Sequence, residues 1–250
     1  MSPSATSGMS QRRVLITGAN GNIGSWLAGR FADCGWSTAL LYHRHSDNIE
    51  KLLHSGGDAT QAHSVDLMDT EALADLLPRL SFDSLVHTAG VRAADATSLA
   101  DSSPADWARV LTHNLVSTAN LLRVAVPVLR LAKPGRVVLL GSDVSRFGLC
   151  RGSAYAAAKA GIINLARSLC LEEPGLLFNV VSPGPVHIDD SHFSEEYKLF
   201  RERYYRQQLE RTPTGRLADL DDLWGICRFL VSSDNRHISG EDIVVNGGRR

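Results

Sequence analysis

Tyr155 and Lys159 are four residues apart in Tyr155-Ala156-Ala157-Ala158-Lys159, inside an alanine-rich stretch that reads as helix. That spacing sets a phenol and an ammonium on one helix face. A neighbouring ammonium stabilises phenolate over phenol, so Tyr155 is expected to ionise below its reference value of about 10. A tyrosine tuned in this way passes a proton to or from a substrate oxygen near neutral pH. Ser142, just past the apolar run Arg136-Val137-Val138-Leu139-Leu140-Gly141, can hydrogen-bond the same oxygen. Such a site suits carbonyl–alcohol interconversion and requires a hydride carrier. A tyrosine and a lysine at this spacing also occur on ordinary solvated helices, so the pair needs support from elsewhere in the chain.

The support lies near the start. Val14-Leu15-Ile16-Thr17 runs into Gly18-Ala19-Asn20-Gly21-Asn22-Ile23-Gly24 and then a helical stretch. Glycines between a strand and a helix let the backbone turn sharply and approach a pyrophosphate, which the free N–H groups of the helix N-terminus attract. Gly18, Asn20, Gly21, Asn22, Ile23 and Gly24 are therefore the first cofactor candidates. The second strand ends in Tyr42-His43-Arg44-His45-Ser46, with no acid before Asp47. Folds that prefer NAD usually carry an acid here for the ribose hydroxyls. Arg44, helped by His43 and Ser46, is suited instead to a 2′-phosphate, and the expected cofactor is NADP(H) in preference to NAD(H). Asp66, with Leu67 beside it, is placed to meet the adenine amine, and Ala89-Gly90 permits close approach of the adenosine ribose.

Positioning these residues takes alternating strands and helices. Periodicity predicts strands at 13–17, 37–42, 61–65, 84–87, 136–141, 176–181 and 242–245. Helices fill the gaps near 22–34, 47–55, 69–79, 104–131, 153–172 and 219–232. The fifth strand is continuously apolar, as in a parallel sheet covered on both faces. The expectation is an α/β, doubly wound parallel sheet of about seven strands, the Rossmann fold, with helices on both faces. Ser103-Pro104-Ala105-Asp106 reads as a capped helix start, and Pro127 as a late bend in that helix.

The bulk properties narrow the function classes. The chain has 250 residues, 44% hydrophobic and 21% charged, with a formal net charge of −1. This suits one domain over 12–250 and gives no electrostatic case for nucleic acid or an anionic membrane. Four dispersed cysteines read as reduced thiols, and scattered histidines offer no zinc site. Residues 1–11 are polar and serine-rich and lack the apolar core of a signal peptide. They are expected to be a disordered leader on a cytoplasmic protein.

Taken in order, these motifs resemble the short-chain dehydrogenase/reductase family, in its compact branch, from Arg13 to Gly248. The resemblance rests on the glycine turn at 18–24, Asp66, Ala89-Gly90, Asn114, and Ser142, Tyr155 and Lys159 at the family's spacing. It extends to Asn179-Val180-Val181-Ser182-Pro183-Gly184 and to the closing segment from Phe229 to Gly248. By that resemblance Tyr155 is the general acid/base, and Lys159 lowers its pKa and binds the nicotinamide ribose. Ser142 orients the substrate carbonyl, while Asn114 holds a water linking Lys159 to solvent. Asn114 also suits a helix-interior amide that satisfies a backbone bulge. Pro183, Gly184 and the Val186 backbone would flank the nicotinamide. The resemblance further implies a homo-oligomer, tetramer or dimer, with the small residues Ala156, Ala157, Ala160 and Gly161 compatible with close helix packing.

The expected activity is reduction of a ketone in a small, largely apolar substrate. Alternatives are an NAD(H)-linked alcohol dehydrogenase, a non-catalytic dinucleotide-binding regulator and, from the glycine spacing at 18, 21 and 24, an epimerase or dehydratase. The chain departs from the family at His87-Thr88, where an asparagine pair is usual, and at Ile188, where a threonine is usual. The lid is expected at about 188–213. There Phe193, Tyr197, Phe200 and Tyr204 recur at helical spacing among Lys198, Arg201, Arg203 and Arg206. This reads as an aromatic wall that can bear a cation, or else as a stripe packed on the core with a solvated face laced with pairs such as Glu202–Arg206. The loop Asp143–Ser153, with Phe147 and Leu149, is expected to form the facing wall.

Overall fold

The computed structural model describes residues 12–91, 98–188 and 194–250. The leader at 1–11 therefore lies outside the described residues. In chain order the elements are β1 (Arg13–Thr17), α1 (Asn22–Asp33), β2 (Ser37–Tyr42), α2 (Asp47–Gly56), β3 (Thr60–Ser64), α3 (Thr70–Leu80) and β4 (Ser84–His87). Then come α4 (Pro104–Leu111), a π turn (Thr112–Val116), α5 (Ser117–Leu129), β5 (Gly135–Leu140), α6 (Val144–Phe147) and α7 (Ser153–Glu172). The remainder is β6 (Leu176–Pro183), α8 (Glu195–Leu209), α9 (Leu220–Val231) and β7 (Asp242–Val245).

The seven strands form one parallel sheet in the order β3-β2-β1-β4-β5-β6-β7. This is the expected Rossmann-type arrangement. The chain builds outward from β1 to β3, then returns to place β4 on the other side of β1. That reversal opens a crevice beyond the C-terminal ends of β1 and β4, where Thr17 stands opposite His87.

Alternate strand residues enter two separate cores. Leu15, Leu41, Leu85 and Phe178 pack on the side of α3, α5 and α7, against Leu77, Leu121 and Ile162. Ile16, Leu40, Val86 and Val181 face α1 and α9, against Leu27, Phe31, Leu223 and Leu230. Phe31 is fully buried, and its ring meets Trp36 and Trp224 edge-on at centroid distances of 5.0 and 4.8 Å.

Several expectations need correction. The helix anticipated over 104–131 starts on the Ser103 cap, which accepts the Asp106 N–H at 3.0 Å, but the π turn breaks it into α4 and α5. Pro127 sits inside α5, two residues before its end. The third strand begins at Thr60 instead of Gln61, and the sixth continues through Pro183. The lid stretch contains a full helix, α8. Gly161, one of the small residues compatible with close helix packing, packs closely within its own chain: a Cβ there would lie 2.8 Å from Leu115 on the π turn.

Candidate active site

Lys159 fixes the centre of the site. It is buried on α7, and its Nζ donates to the Leu140 carbonyl at 2.8 Å, at the C-terminal end of β5. One turn earlier on the same helix, the Tyr155 ring centroid lies 5.7 Å from that Nζ. Ser142 follows Leu140 by two residues, past Gly141, where a Cβ would fall 2.3 Å from Ser182 Oγ. One lysine thus ties the helix bearing the phenol to the strand end bearing the serine. Burial pushes the Lys159 ammonium down to about 8.

Asn114 enters the same locality through the π turn. A π turn adds one residue to the helical ladder and displaces a backbone bond. The Asn114 side chain replaces what is displaced, its Nδ2 donating to Val110 O and to Val91 O, both at 2.9 Å. Its backbone carbonyl accepts from the Thr118 hydroxyl. Its Oδ1 remains fully buried with no hydrogen-bond partner. A Cβ built on Gly90 would come within 2.7 Å of that Oδ1 and 3.7 Å of Lys159 Nζ. An unpaired buried acceptor beside an ammonium is suited to a bridging water or a cofactor hydroxyl.

The glycine turn closes tightly. Gly18 has φ +68°, and a Cβ there would stand 2.6 Å from Ala89 N, so only glycine lets β1 exit against Ala89-Gly90. A Cβ on Gly24 would press to 2.3 Å from Gly18 O, whereas Gly21 meets only Gly18 O, at 3.3 Å. Gly21 is the N-cap of α1 and supplies no side-chain oxygen, and the first turn carries no acid. By contrast α3 and α9 are capped by Asp69 and Asp219. The N–H groups at Asn22 and Ile23 accordingly remain for an anion, and the turn fits a dinucleotide pyrophosphate.

Toward the adenosine end, Asn20 is spoken for. Its Oδ1 accepts from Asn48 N and its carbonyl from Asn48 Nδ2, both at 2.9 Å, clamping α2 to the turn. His43 lies 3.6 Å from Asp66, whose carboxylate also accepts from Met68 N at 2.9 Å. Ser46 donates to Glu50 at 3.3 Å. Arg44 is exposed and makes no hydrogen bond or ion pair among the described residues. Leu67 is half-buried, and its carbonyl lies 3.5 Å from Asn120 Nδ2.

At the turn expected to flank the nicotinamide, Gly184 N donates to Val245 O at 3.0 Å, and a Cβ on Gly184 would lie 3.1 Å from Asp143 Oδ2. The Val186 carbonyl accepts the Tyr205 hydroxyl at 2.7 Å. Phe193 lies outside the described residues, as do the side chains of Tyr197 and Phe200. Tyr204 is half-buried beside Tyr205, at 6.0 Å between centroids. Arg201 is buried against Tyr205, 4.9 Å from its ring centroid. Glu202 and Arg206 pair at 2.9 Å, as anticipated. In the facing loop Arg146 turns away to Asp242 at 2.8 Å, leaving Phe147 and Leu149 exposed.

The sequence reading gave no role to Asn48, Asp143 or Tyr205, and noted His87 only as a departure from the family's asparagine pair. His87 is fully buried, with Nδ1 2.6 Å from Thr17 Oγ1 and Nε2 2.8 Å from Thr118 Oγ1. Its neighbour Thr88 donates to Thr17 O at 2.7 Å. Together they fasten β4 to the glycine turn and to the helix of Asn114.

A Rossmann sheet with a glycine turn at its switch point and a tyrosine–lysine pair beside it defines a nucleotide-dependent oxidoreductase. Residues 18–250 match a family model described as enoyl-(acyl carrier protein) reductase. The chain is 31% identical over 239 residues to the 3-oxoacyl-[acyl-carrier-protein] reductase MabA of Mycobacterium tuberculosis, covering 95% of this chain and 92% of that one. It superposes with TM-score 0.85 on an oxidoreductase of the short-chain dehydrogenase/reductase family from Burkholderia thailandensis, at 31% identity over 96% of this chain and 92% of that one. A structure described as ElxO with NADP bound has the same fold, with TM-score 0.86 at 21% identity over 96% and 98% of the two chains. This protein belongs to the short-chain dehydrogenase/reductase family. Among the described residues no helix is long and apolar enough to cross a membrane.

Proposed function

We propose that the protein reduces the ketone of a small, largely apolar substrate to an alcohol, using NADP(H). The observation that carries this reading is the placement of buried Lys159, which bonds the end of β5 and lies beside the Tyr155 ring, with the unpaired oxygen of Asn114 on the other side of Gly90. When bound, the reduced nicotinamide supplies hydride to the carbonyl carbon. Ser142 holds the carbonyl oxygen in line with Tyr155, whose hydroxyl gives that oxygen its proton. The Lys159 ammonium favours the phenolate left behind, and a water held by Asn114 Oδ1 returns the proton from solvent. The exposed apolar side chains of Phe147 and Leu149 support an apolar ligand. Because MabA is named for 3-oxoacyl groups, a 3-oxoacyl thioester is the first substrate to assay, beside a generic activated ketone. Failure to oxidise NADPH with either would overturn the reductase reading in favour of a dinucleotide-binding regulator. The tetramer or dimer implied by the family belongs to the same reading.

The 2′-phosphate assignment rests on Arg44, an exposed cation at the end of β2 with no acid between it and Tyr42. Arg44→Asp is expected to weaken NADPH binding by about 10- to 100-fold, the worth of a charge-assisted bond lost to repulsion, and to favour NADH. Fluorescence titration with both nucleotides checks this. Tighter NADH binding by the unaltered protein would reverse the assignment.

The lysine sets an alkaline limit. With its pKa near 8, Lys159 is mostly charged at pH 7 and loses its charge as pH rises above 8. Reductase kcat/KM is therefore expected to fall about tenfold per pH unit beyond that point. In Lys159→Arg the charge persists, and the break near pH 8 should vanish from whatever activity remains. A break unchanged in that variant would assign the titration to another group.

A further inference from the structure

Asp143, immediately after Ser142, is buried, and a largely covered cation reaches it from beyond β7. Arg249 Nε and Nη2 both lie 2.9 Å from Asp143 Oδ2, with side-chain exposures of 11% and 2%. Asn246 Nδ2 donates to the same carboxylate oxygen at 3.2 Å and to Arg249 O at 3.0 Å. The Asp143 N–H donates to Pro183 O at 3.0 Å, so the carboxylate sits directly against the Pro183-Gly184 turn. The remaining edge of the guanidinium, Nη1, donates to Gln208 Oε1 on α8. One planar fork therefore spans the serine loop and the lid helix.

From this we infer that Arg249 is a positioning residue: it fastens α8 against the serine loop and so sets the width of the substrate pocket. Leaving Asp143 buried without its partner is unfavourable, so the loop and the lid hold their places only while the guanidinium is between them. A lysine cannot substitute fully, because a point charge cannot bond both Asp143 and Gln208 with fixed geometry. The glycine turn and Lys159, expected to meet the pyrophosphate and ribose, share no hydrogen bond with this fork, and only the Pro183-Gly184 turn touches it. Any loss of nucleotide binding should therefore be much smaller than the loss in ketone binding.

The inference about substrate rests on the reductase reading, while the fastening itself is testable without it. Arg249→Ala is expected to raise KM for the ketone about tenfold or more, the scale of a lost charge-assisted pair, with kcat less affected. The NADPH Kd should stay within about twofold. Guanidinium ion should restore part of the loss in Arg249→Ala, and Arg249→Lys should fall between. Gln208→Leu, which leaves Asp143 paired, should reproduce the KM effect and serves if Arg249→Ala does not fold. Amide exchange over 195–209 should quicken in Arg249→Ala or Gln208→Leu while β1 and β4 are unchanged. Unchanged exchange in that segment overturns the fastening, whether or not the wild type reduces ketones. Unaltered KM, or equal losses in ketone and NADPH binding, overturns the role in the pocket. No turnover by the wild type rejects the reductase reading alone, and exchange then decides the rest.

Discussion

Tyr155→Phe is expected to lower kcat for ketone reduction by about 10³-fold, within the range by which positioned acids and bases accelerate proton transfer. NADPH affinity should stay within about twofold, because the substitution removes a single hydroxyl. The ring that stands 5.7 Å from Lys159 Nζ remains, so the cation–ring contact and the packing of α7 are retained. What disappears is the proton needed as negative charge gathers on the carbonyl oxygen, an interaction made chiefly in the transition state. The loss should therefore appear in kcat and kcat/KM together, with little change in KM. Stopped-flow NADPH oxidation, paired with a binding titration, separates these quantities. Full activity in the phenylalanine variant would transfer the proton donation to Ser142 or to water and dissolve the proposed roles of Lys159 and Asn114.

Much of this site was readable before any fold was known, for identifiable reasons. Glycines at 18 and 24 are dictated by backbone contacts under 3 Å, and that constraint leaves a direct mark on residue type. The Tyr155–Lys159 pair lies within a single helical turn, so local spacing reports spatial proximity. Asn114 was legible both as a residue and as an amide that fills a backbone bulge, while the break of the long helix into α4 and α5 was not: one added residue scarcely changes the apolar pattern. Arg249 and Asp143 are 106 positions apart, and neither type nor neighbourhood marks them as partners. Tyr205 falls beside Tyr204, off the stripe of aromatics that drew attention to the lid, yet it is Tyr205 that holds Val186. Local physics leaves its trace in the sequence, whereas pairs made by tertiary closure do not.

His87 is the clearest such closure, and it makes acid stability the second large expected effect. Thr118 spends its hydroxyl proton on the Asn114 carbonyl, so its oxygen can only accept from His87. Nε2 therefore carries the imidazole hydrogen, and Nδ1 accepts from Thr17. Complete burial, reinforced by the Lys159 charge, holds this histidine down to about 3. The unfolded chain takes up that proton near pH 6.5, the folded protein only near 3. Folding stability attributable to His87 is thus fully present above about 6.5 and is lost as pH falls toward 3, by about 1.4 kcal/mol per pH unit and about 5 kcal/mol in all. His87→Asn should be less stable at neutral pH, having lost a bond to Thr17 or Thr118, yet its stability should decline less steeply with acid. Urea unfolding at several pH values between 7 and 4 measures both slopes. His63, also lowered by burial, contributes to both proteins, so the difference between slopes isolates His87. Parallel slopes would mean that the imidazole takes up its proton equally in the folded and unfolded chains, so that burial does not hold it neutral. Because the same bonds run from the residue before the glycine turn to the carbonyl of Asn114, the glycine turn and the helix that follows Asn114 should lose their order together as acid protonates the link between them.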